Sequence, residues 1–152
     1  PMHEMFRAIR RIMDEYADVK LIYPIHMNPQ VRQIASEELT GWDRIRLIEP
    51  LDVLDFHNFM AASYLILTDS GGIQEEAPSL GKPVLVMRNT TERPEGIAAG
   101  TLKLTEEEPI YQNIKQLLDD PGAYKRMSQA SNPYGDGYAS ARIADILKKE
   151  LL

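Results

Sequence analysis

Apolar residues recur along the chain in two patterns, one typical of helices and one typical of short buried strands. Residues 1–16 carry an apolar stripe with helical spacing, formed by Met2, Met5, Phe6, Ile9, Ile12, Met13 and Tyr16. Residues three or four apart share one face of a helix, so the stripe predicts an amphipathic helix. Because the chain enters this helix without a preceding strand, we expect it to be a fragment of a longer protein.

Short apolar runs then predict strands, and longer segments between and after them predict helices. The strands are expected at 19–24, 44–48, 64–68, 83–87 and 101–104. The helices are expected at 29–39, 51–63, 72–80, 109–118, 123–130 and 139–151, with one more starting at Pro94. Strands that recur every ~20 residues with helices between them are typical of parallel βαβ units. Their lack of strict alternation indicates that both sheet faces are covered. We therefore predict the α/β class, with residues 1–152 forming one Rossmann-like domain around a doubly wound parallel sheet.

The turn Ser70-Gly71-Gly72 lies where such a sheet would bind a ligand, beyond the carboxyl end of a strand. Glycines without a Cβ let a bulky anion approach the backbone N–H groups, and the positive end of the next helix points to the same place. Glu75 and Glu76, one turn into that helix, can face a sugar hydroxyl. The pattern indicates a site for a phosphorylated sugar or a nucleotide. The alternative is a tight connection whose glycines serve only packing.

A polar loop, 88–95, follows the fourth predicted strand at the same edge. Thr90 and Thr91 can donate hydrogen bonds to a phosphate or a base edge, and Arg93 can make a charge-assisted contact with an anion. The alternative for Arg93 is a solvated surface pair with Glu95. The position of the loop favours the functional interpretation, because polar loops at this edge carry sites.

Phe56 and the histidines are more ambiguous. Phe56 precedes the third strand and either packs in the core or flanks a flat base. His26 follows the first strand and lies at the ligand edge, where the alternative role is a loop histidine bonded to backbone. His3 and His57 fall on predicted helices, where ordinary structural roles are expected. Such scattered histidines argue against a zinc site.

The composition narrows the classes of partner. The chain has 152 residues, no cysteine and a net charge of −6. The negative charge argues against general nucleic-acid or anionic-membrane binding, so an anionic ligand has to be held by local donors and helix ends. The absence of cysteine excludes disulfides and fits a reducing cytoplasm. No apolar run approaches the roughly 18 residues of a membrane span.

With these segments in place, the chain closely resembles the carboxyl-terminal half of the non-hydrolysing UDP-N-acetylglucosamine 2-epimerases. The resemblance covers nearly the whole chain, and its most specific part joins 68–76 to 90–95. The matching segments are 23–32, 67–86, 88–99 and 132–137. The resemblance implies a GT-B architecture of two Rossmann-like halves, with the active site in the cleft between them.

The resemblance also implies a reaction and a set of site residues. The family interconverts UDP-N-acetylglucosamine and UDP-N-acetylmannosamine by eliminating UDP and adding it back, with no cofactor expected. Its carboxyl half binds UDP. Carried over by position, this implies five roles: the pyrophosphate for Ser70, Gly71 and Gly72, the ribose hydroxyls for Glu76, the nucleotide for Arg93, the uracil for Phe56, and substrate or effector binding for His26.

The chain departs from the family pattern in what it lacks. The His-Arg-Arg-Glu motif and the amino-terminal half, which supplies the acid/base carboxylates, are absent. We therefore expect no catalytic residue within this chain, no activity of the chain alone, and the missing amino-terminal domain as a partner in a homodimeric full-length protein. The segment 105–108 also lacks the family's usual glycine-containing turn, and its acidic run is expected to open a helix. The alternatives are a GT-B glycosyltransferase domain and a non-catalytic nucleotide-sugar binding module.

Overall fold

A computed structural model describes residues 2–105 and 109–151. Strands and helices follow one another through most of the chain, and three helices close it. The elements are α1 (Met2–Glu15), β1 (Leu21–Pro24), α2 (Pro29–Leu39), β2 (Ile45–Ile48), α3 (Val53–Ala62), β3 (Ile66–Thr68), α4 (Gly71–Ser79), β4 (Val84–Val86), α5 (Pro94–Ala99), β5 (Leu102–Leu104), α6 (Pro109–Asp119), α7 (Pro121–Ser128) and α8 (Ala139–Leu151).

The strands are all parallel, and their hydrogen bonds fall into two groups. β1 pairs with β2, and β4 pairs with both β3 and β5. The two groups share one hydrophobic core, because Val19 and Leu67 each contact both the core cluster under β1 and β2 and the cluster under β4. The predicted α/β, Rossmann-like class is confirmed.

The central strand β4 shows why its sequence does not alternate. Leu85 faces a cluster that contains Ile12 of α1 and Ile110 of α6. Val84 and Val86 face the opposite side, against Met60 of α3 and Ala77 of α4. All three residues of β4 are fully buried, so apolar side chains are needed on both faces. Helices therefore cover both sides of the sheet.

The predicted helices hold to within a few residues, and the structure shows the caps that set their ends. Asn28 caps α2 by accepting the Gln30 N–H. Asp52 caps α3 by accepting the Asp55 N–H, so that helix starts after the predicted residue 51. Asp120 caps α7 with Pro121 at its first position, ahead of the predicted start at 123. Short polar side chains at these positions accept N–H groups that the first helical turn leaves without partners.

Arg44 connects the first helix to the second strand. Its guanidinium donates to the carbonyls of Tyr16 and Val19, at 2.8 Å each, and to the Met13 carbonyl at 2.5 Å. The last carbonyls of a helix have no intrahelical donor. One side chain therefore donates hydrogen bonds to the free carbonyl groups at the end of α1 and in the turn that follows it.

Gly96 fixes the position of α5. A Cβ on this buried glycine would lie 2.4 Å from both the Leu102 Cδ1 and the Tyr134 hydroxyl oxygen. Only a glycine lets α5 approach β5 and the segment 132–137 this closely. Burial raises the pKa of the Tyr134 phenol. The segment 132–137, part of the family resemblance, thus packs beside the helix that follows Arg93.

The last helix, α8, is exposed along its whole length and is nevertheless amphipathic. Its exposed apolar side chains are Ile143, Ile146, Leu147 and Leu151, with Tyr138 just before it. Within 2–105 and 109–151, no helix has the length and apolar character needed to span a membrane. The prediction that the acidic run 106–108 opens a helix lies outside the described residues.

Candidate functional site

The helix α4 begins at Gly71 with an open amino-terminal end. Ser70 is its N-cap residue in extended conformation, and its side chain makes no capping hydrogen bond. The first N–H groups of any helix lack an intrahelical acceptor, and the helix dipole adds positive charge there. Gly71 and Gly72 therefore present N–H groups, and Ser70 a hydroxyl, at the carboxyl end of β3, while the Ser70 N–H itself donates to the Thr68 hydroxyl at 3.0 Å.

A buried glutamine holds the polar loop against this helix. Gln74 is completely buried; its Oε1 accepts the Thr91 hydroxyl, and its Nε2 donates to the Ser70 carbonyl at 3.2 Å. The Thr91 hydroxyl in turn accepts the Arg93 N–H at 3.0 Å. Gln74 was not predicted as a site residue. Its spacing from the buried Ala77 and Pro78, three and four residues on, is the signal that it faces inward.

Arg93 lies at the site, and its partner is Glu75, not the Glu95 that the sequence analysis considered. The Arg93 guanidinium donates through Nε to Glu75 and at 3.1 Å to the Glu92 carbonyl. The hydrogen bond that Arg93 donates to Glu75 raises the pKa of the guanidinium further. The surface pair with Glu95 is therefore not formed, and Arg93 lies against α4.

Glu92 lies directly on the glycine turn. A Cβ at Gly71 would be 2.4 Å from Glu92 Oε1, so the carboxylate uses the space that the missing side chain leaves. The other carboxylate oxygen, Oε2, accepts a hydrogen bond of 3.1 Å from Arg88. Neither Arg88 nor Glu92 was assigned a role from the sequence, because the contact depends on how the loop folds back.

Glu76 lies at the same end of the sheet and has a histidine partner. Its Oε2 is 3.0 Å from His57 Nε2, and its Oε1 is within 3.9 Å of where a Gly72 Cβ would lie. Sequence reasoning gave His57 an ordinary role and missed this contact, which depends on α3 meeting α4. Phe56, next to it, is half-buried and contacts the core cluster of Val84 and Val86.

His26 is exposed beyond β1, and its Nδ1 accepts the Asn28 N–H at 3.1 Å. This backbone contact is the alternative that the sequence left open for it. At the end of β1, burial raises the pKa of Tyr23, and the Asp69 carboxylate adds to the shift. Among residues 2–105 and 109–151, no cluster of three potential metal ligands is found.

The fold is that of a Rossmann-like α/β domain. At the carboxyl edge of its sheet, the uncapped amino terminus of α4 lies among carboxylates that are paired with arginine or histidine side chains. The family model described as UDP-N-acetylglucosamine 2-epimerase matches residues 1–148. A Bacillus subtilis relative named UDP-N-acetylglucosamine 2-epimerase is 66% identical over 149 residues, which are 97% of this chain and 39% of the relative.

Two solved structures of related proteins are similar to this chain in both sequence and fold. The S. aureus MnaA–UDP co-structure is 60% identical, with a TM-score of 0.93 over 99% of this chain and 42% of that one. The Neisseria meningitidis UDP-GlcNAc 2-epimerase bound to UDP-GlcNAc is 45% identical, with a TM-score of 0.90 over 97% of this chain and 40% of that one. The chain belongs to the UDP-N-acetylglucosamine 2-epimerase family. It spans about two fifths of the length of these relatives.

Proposed function

We propose that this chain is the UDP-binding part of an enzyme that interconverts UDP-N-acetylglucosamine and UDP-N-acetylmannosamine. One observation carries the proposal: the uncapped end of α4 lies beside Glu76 and Arg93 in a chain of this family. Two related structures, one with UDP bound and the other with UDP-GlcNAc bound, support it.

Different residues of the site bind different parts of the nucleotide. The N–H groups of Gly71 and Gly72 and the Ser70 hydroxyl donate to the pyrophosphate, where the helix dipole adds to the attraction. Glu76, oriented by His57, accepts hydrogen bonds from the ribose hydroxyls. When the nucleotide binds, Arg93 gives up its contact with Glu75 and contacts the nucleotide instead. We also propose that Phe56 lies beside the uracil and that His26 contacts the substrate or an effector.

This chain holds the leaving group, and the remaining chemistry belongs elsewhere in the longer protein. Elimination of UDP needs a base for the C2 proton and an acid on the other face. Glu75 and Glu76 lie on the nucleotide side and already have partners. We therefore propose that an amino-terminal domain supplies the catalytic carboxylates.

The exposed apolar face of α8 supports the proposal that another part of the longer protein packs against this helix. We also propose that the full-length protein is a homodimer and that it is cytoplasmic.

Calorimetric titration of this chain with UDP and with uridine tests the binding role. We expect weak binding of UDP and weaker binding of uridine, because uridine lacks the pyrophosphate. No heat at millimolar UDP would contradict the proposal, and equal affinities would remove the pyrophosphate role of Ser70, Gly71 and Gly72.

A second experiment tests the division of labour. The chain is incubated with UDP-N-acetylglucosamine in deuterated water, and C2 is followed by NMR. We expect neither UDP-N-acetylmannosamine nor deuterium at C2 until the separate amino-terminal half is added. Turnover by the chain alone, surviving repurification, would place catalytic groups within these residues, and His26 would be the first to mutate.

A further inference from the structure

Glu92 lies beside the place where the proposed pyrophosphate site would hold an anion. Its Oε1 lies against Gly71, the first residue of α4, and only the missing Cβ makes room for it. A carboxylate is stabilised at a helix amino terminus for the same electrostatic reason as a phosphate. The open end of α4 therefore already has one negative group beside it, supplied by the chain itself.

The contacts of Glu92 allow it to leave. Its side chain is 49% exposed and that of its partner Arg88 is 40% exposed. An exposed pair of this kind contributes little to stability, so separating the two side chains costs little. The loop backbone on either side of Glu92 is held more firmly, because Thr91 bonds to the buried Gln74 and the Arg93 backbone N–H donates to the Thr91 hydroxyl. Glu92 can thus swing away by side-chain rotation while the loop backbone keeps its position.

We propose that Glu92 is a built-in competitor for the pyrophosphate, which a nucleoside diphosphate must displace from the end of α4. The inference rests on the proposed function, since it concerns the same site. A carboxylate and a pyrophosphate that both contact Gly71 repel each other, which favours displacement of the carboxylate. Displacement also frees Arg88 from Glu92 and leaves its guanidinium beside the incoming phosphates. Glu92 therefore sets how tightly a diphosphate is held and leaves the affinity for uridine unchanged.

The test compares Glu92→Gln and Glu92→Ala with the unmodified chain, by titration with UDP and with uridine. Both variants should bind UDP about two- to fivefold more tightly, the range expected for removing one anion from a helix end. Uridine affinity should stay the same. The matched control is Glu37→Gln, which removes the same charge from an exposed position on α2 and should change neither affinity. Thermal unfolding of each variant checks that the loop remains folded.

The amide resonances of Gly71 and Gly72 give a second readout without ligand. They should shift in Glu92→Gln and stay in place in Glu37→Gln. UDP affinity that is unchanged or reduced in both Glu92 variants, while the unmodified chain prefers UDP to uridine, overturns this inference alone. Failure of the unmodified chain to prefer UDP overturns the proposed function together with it.

Discussion

Two charged regions of this molecule use the same residue types in opposite ways. Between α1 and α2, the Glu38 side chain is only 9% exposed and accepts contacts from His3 at 2.9 Å, Arg10 at 3.1 Å and Arg7 at 3.4 Å. At the open end of α4, each carboxylate has a single partner side chain among the described residues: Glu75 contacts Arg93, Glu76 contacts His57 and Glu92 contacts Arg88. The carboxylates of these pairs are 42% to 50% exposed.

The difference separates charges that hold the fold from charges that can be exchanged. Removing one cation from Glu38 still leaves two, and little of the Glu38 side chain is exposed to water. Each pair at α4 is exposed and can be replaced by a ligand contact of similar strength. The amino-terminal region should therefore respond to mutation through stability, and the α4 region through binding.

The largest effect is expected from Arg44→Met, in the amino-terminal region. It removes three hydrogen bonds from a charged donor to the end of α1 and its turn. Charged hydrogen bonds are worth roughly 1.5–3 kcal/mol each, and methionine retains part of the packing, so unfolding should become easier by about 3 kcal/mol. Urea denaturation measures this. The control Arg46→Met, exposed on β2, should stay near the original value. A similar loss in both variants would remove the special role of Arg44.

The next effect is expected from Arg93→Ala, in the α4 region. The loss of one charge-assisted contact should weaken UDP binding by about 1.5 kcal/mol, roughly tenfold, with little change in unfolding free energy. Uridine should be affected less if Arg93 contacts the phosphates. Arg142→Ala breaks an equivalent exposed pair with Asp136 and serves as the control. Equal UDP affinities in the two variants would return Arg93 to a surface role.

A smaller effect is expected from His57→Ala, which removes the partner of Glu76. The carboxylate then loses a fixed orientation toward the ribose, a change worth about 0.5 kcal/mol for an exposed pair. UDP and uridine should weaken together, about twofold, because both carry the ribose. Calorimetry with both ligands measures this, with Asn58→Ala on the same helix as the control. A loss for UDP alone would move Glu76 away from the ribose.

The smallest effect is expected in acid, from the Glu38 cluster of the amino-terminal region. Hydrogen bonds from His3, and then from Arg10, lower the pKa of Glu38 below its ordinary value of 4.5. A lowered folded-state pKa adds stability that is present above pH 4.5 and lost as the pH falls through the folded value. Urea midpoints between pH 3 and 6 should therefore fall less steeply for Glu38→Gln than for the unmodified chain. Parallel slopes would show that the Glu38 cluster adds nothing to acid sensitivity.

Much of the architecture was predictable because it follows from local patterns. The apolar stripe of α1, the cap of α2 and the uninterrupted apolar run of β4 each carry a signal within a few residues. The Ser70-Gly71-Gly72 turn was predictable for the same reason, since glycines after a buried strand mark a bare helix end. Strand ends were predicted less well: β3 begins at Ile66, and Tyr64 instead stacks on Tyr124.

The sequence by itself therefore determined the α/β class, the order of elements and the edge where the candidate site lies. Only the tertiary structure decided which charged groups meet there. The contacts of Arg93 with Glu75, His57 with Glu76 and Glu92 with Gly71 join residues 18, 19 and 21 positions apart along the chain, from different elements or loops. Their physical basis is packing: α3 and the loop after β4 are pressed onto α4 by the buried faces of Met60, Ala77 and Gln74. Periodicity records which face of each helix is apolar, but not which polar side chains two packed elements bring within contact.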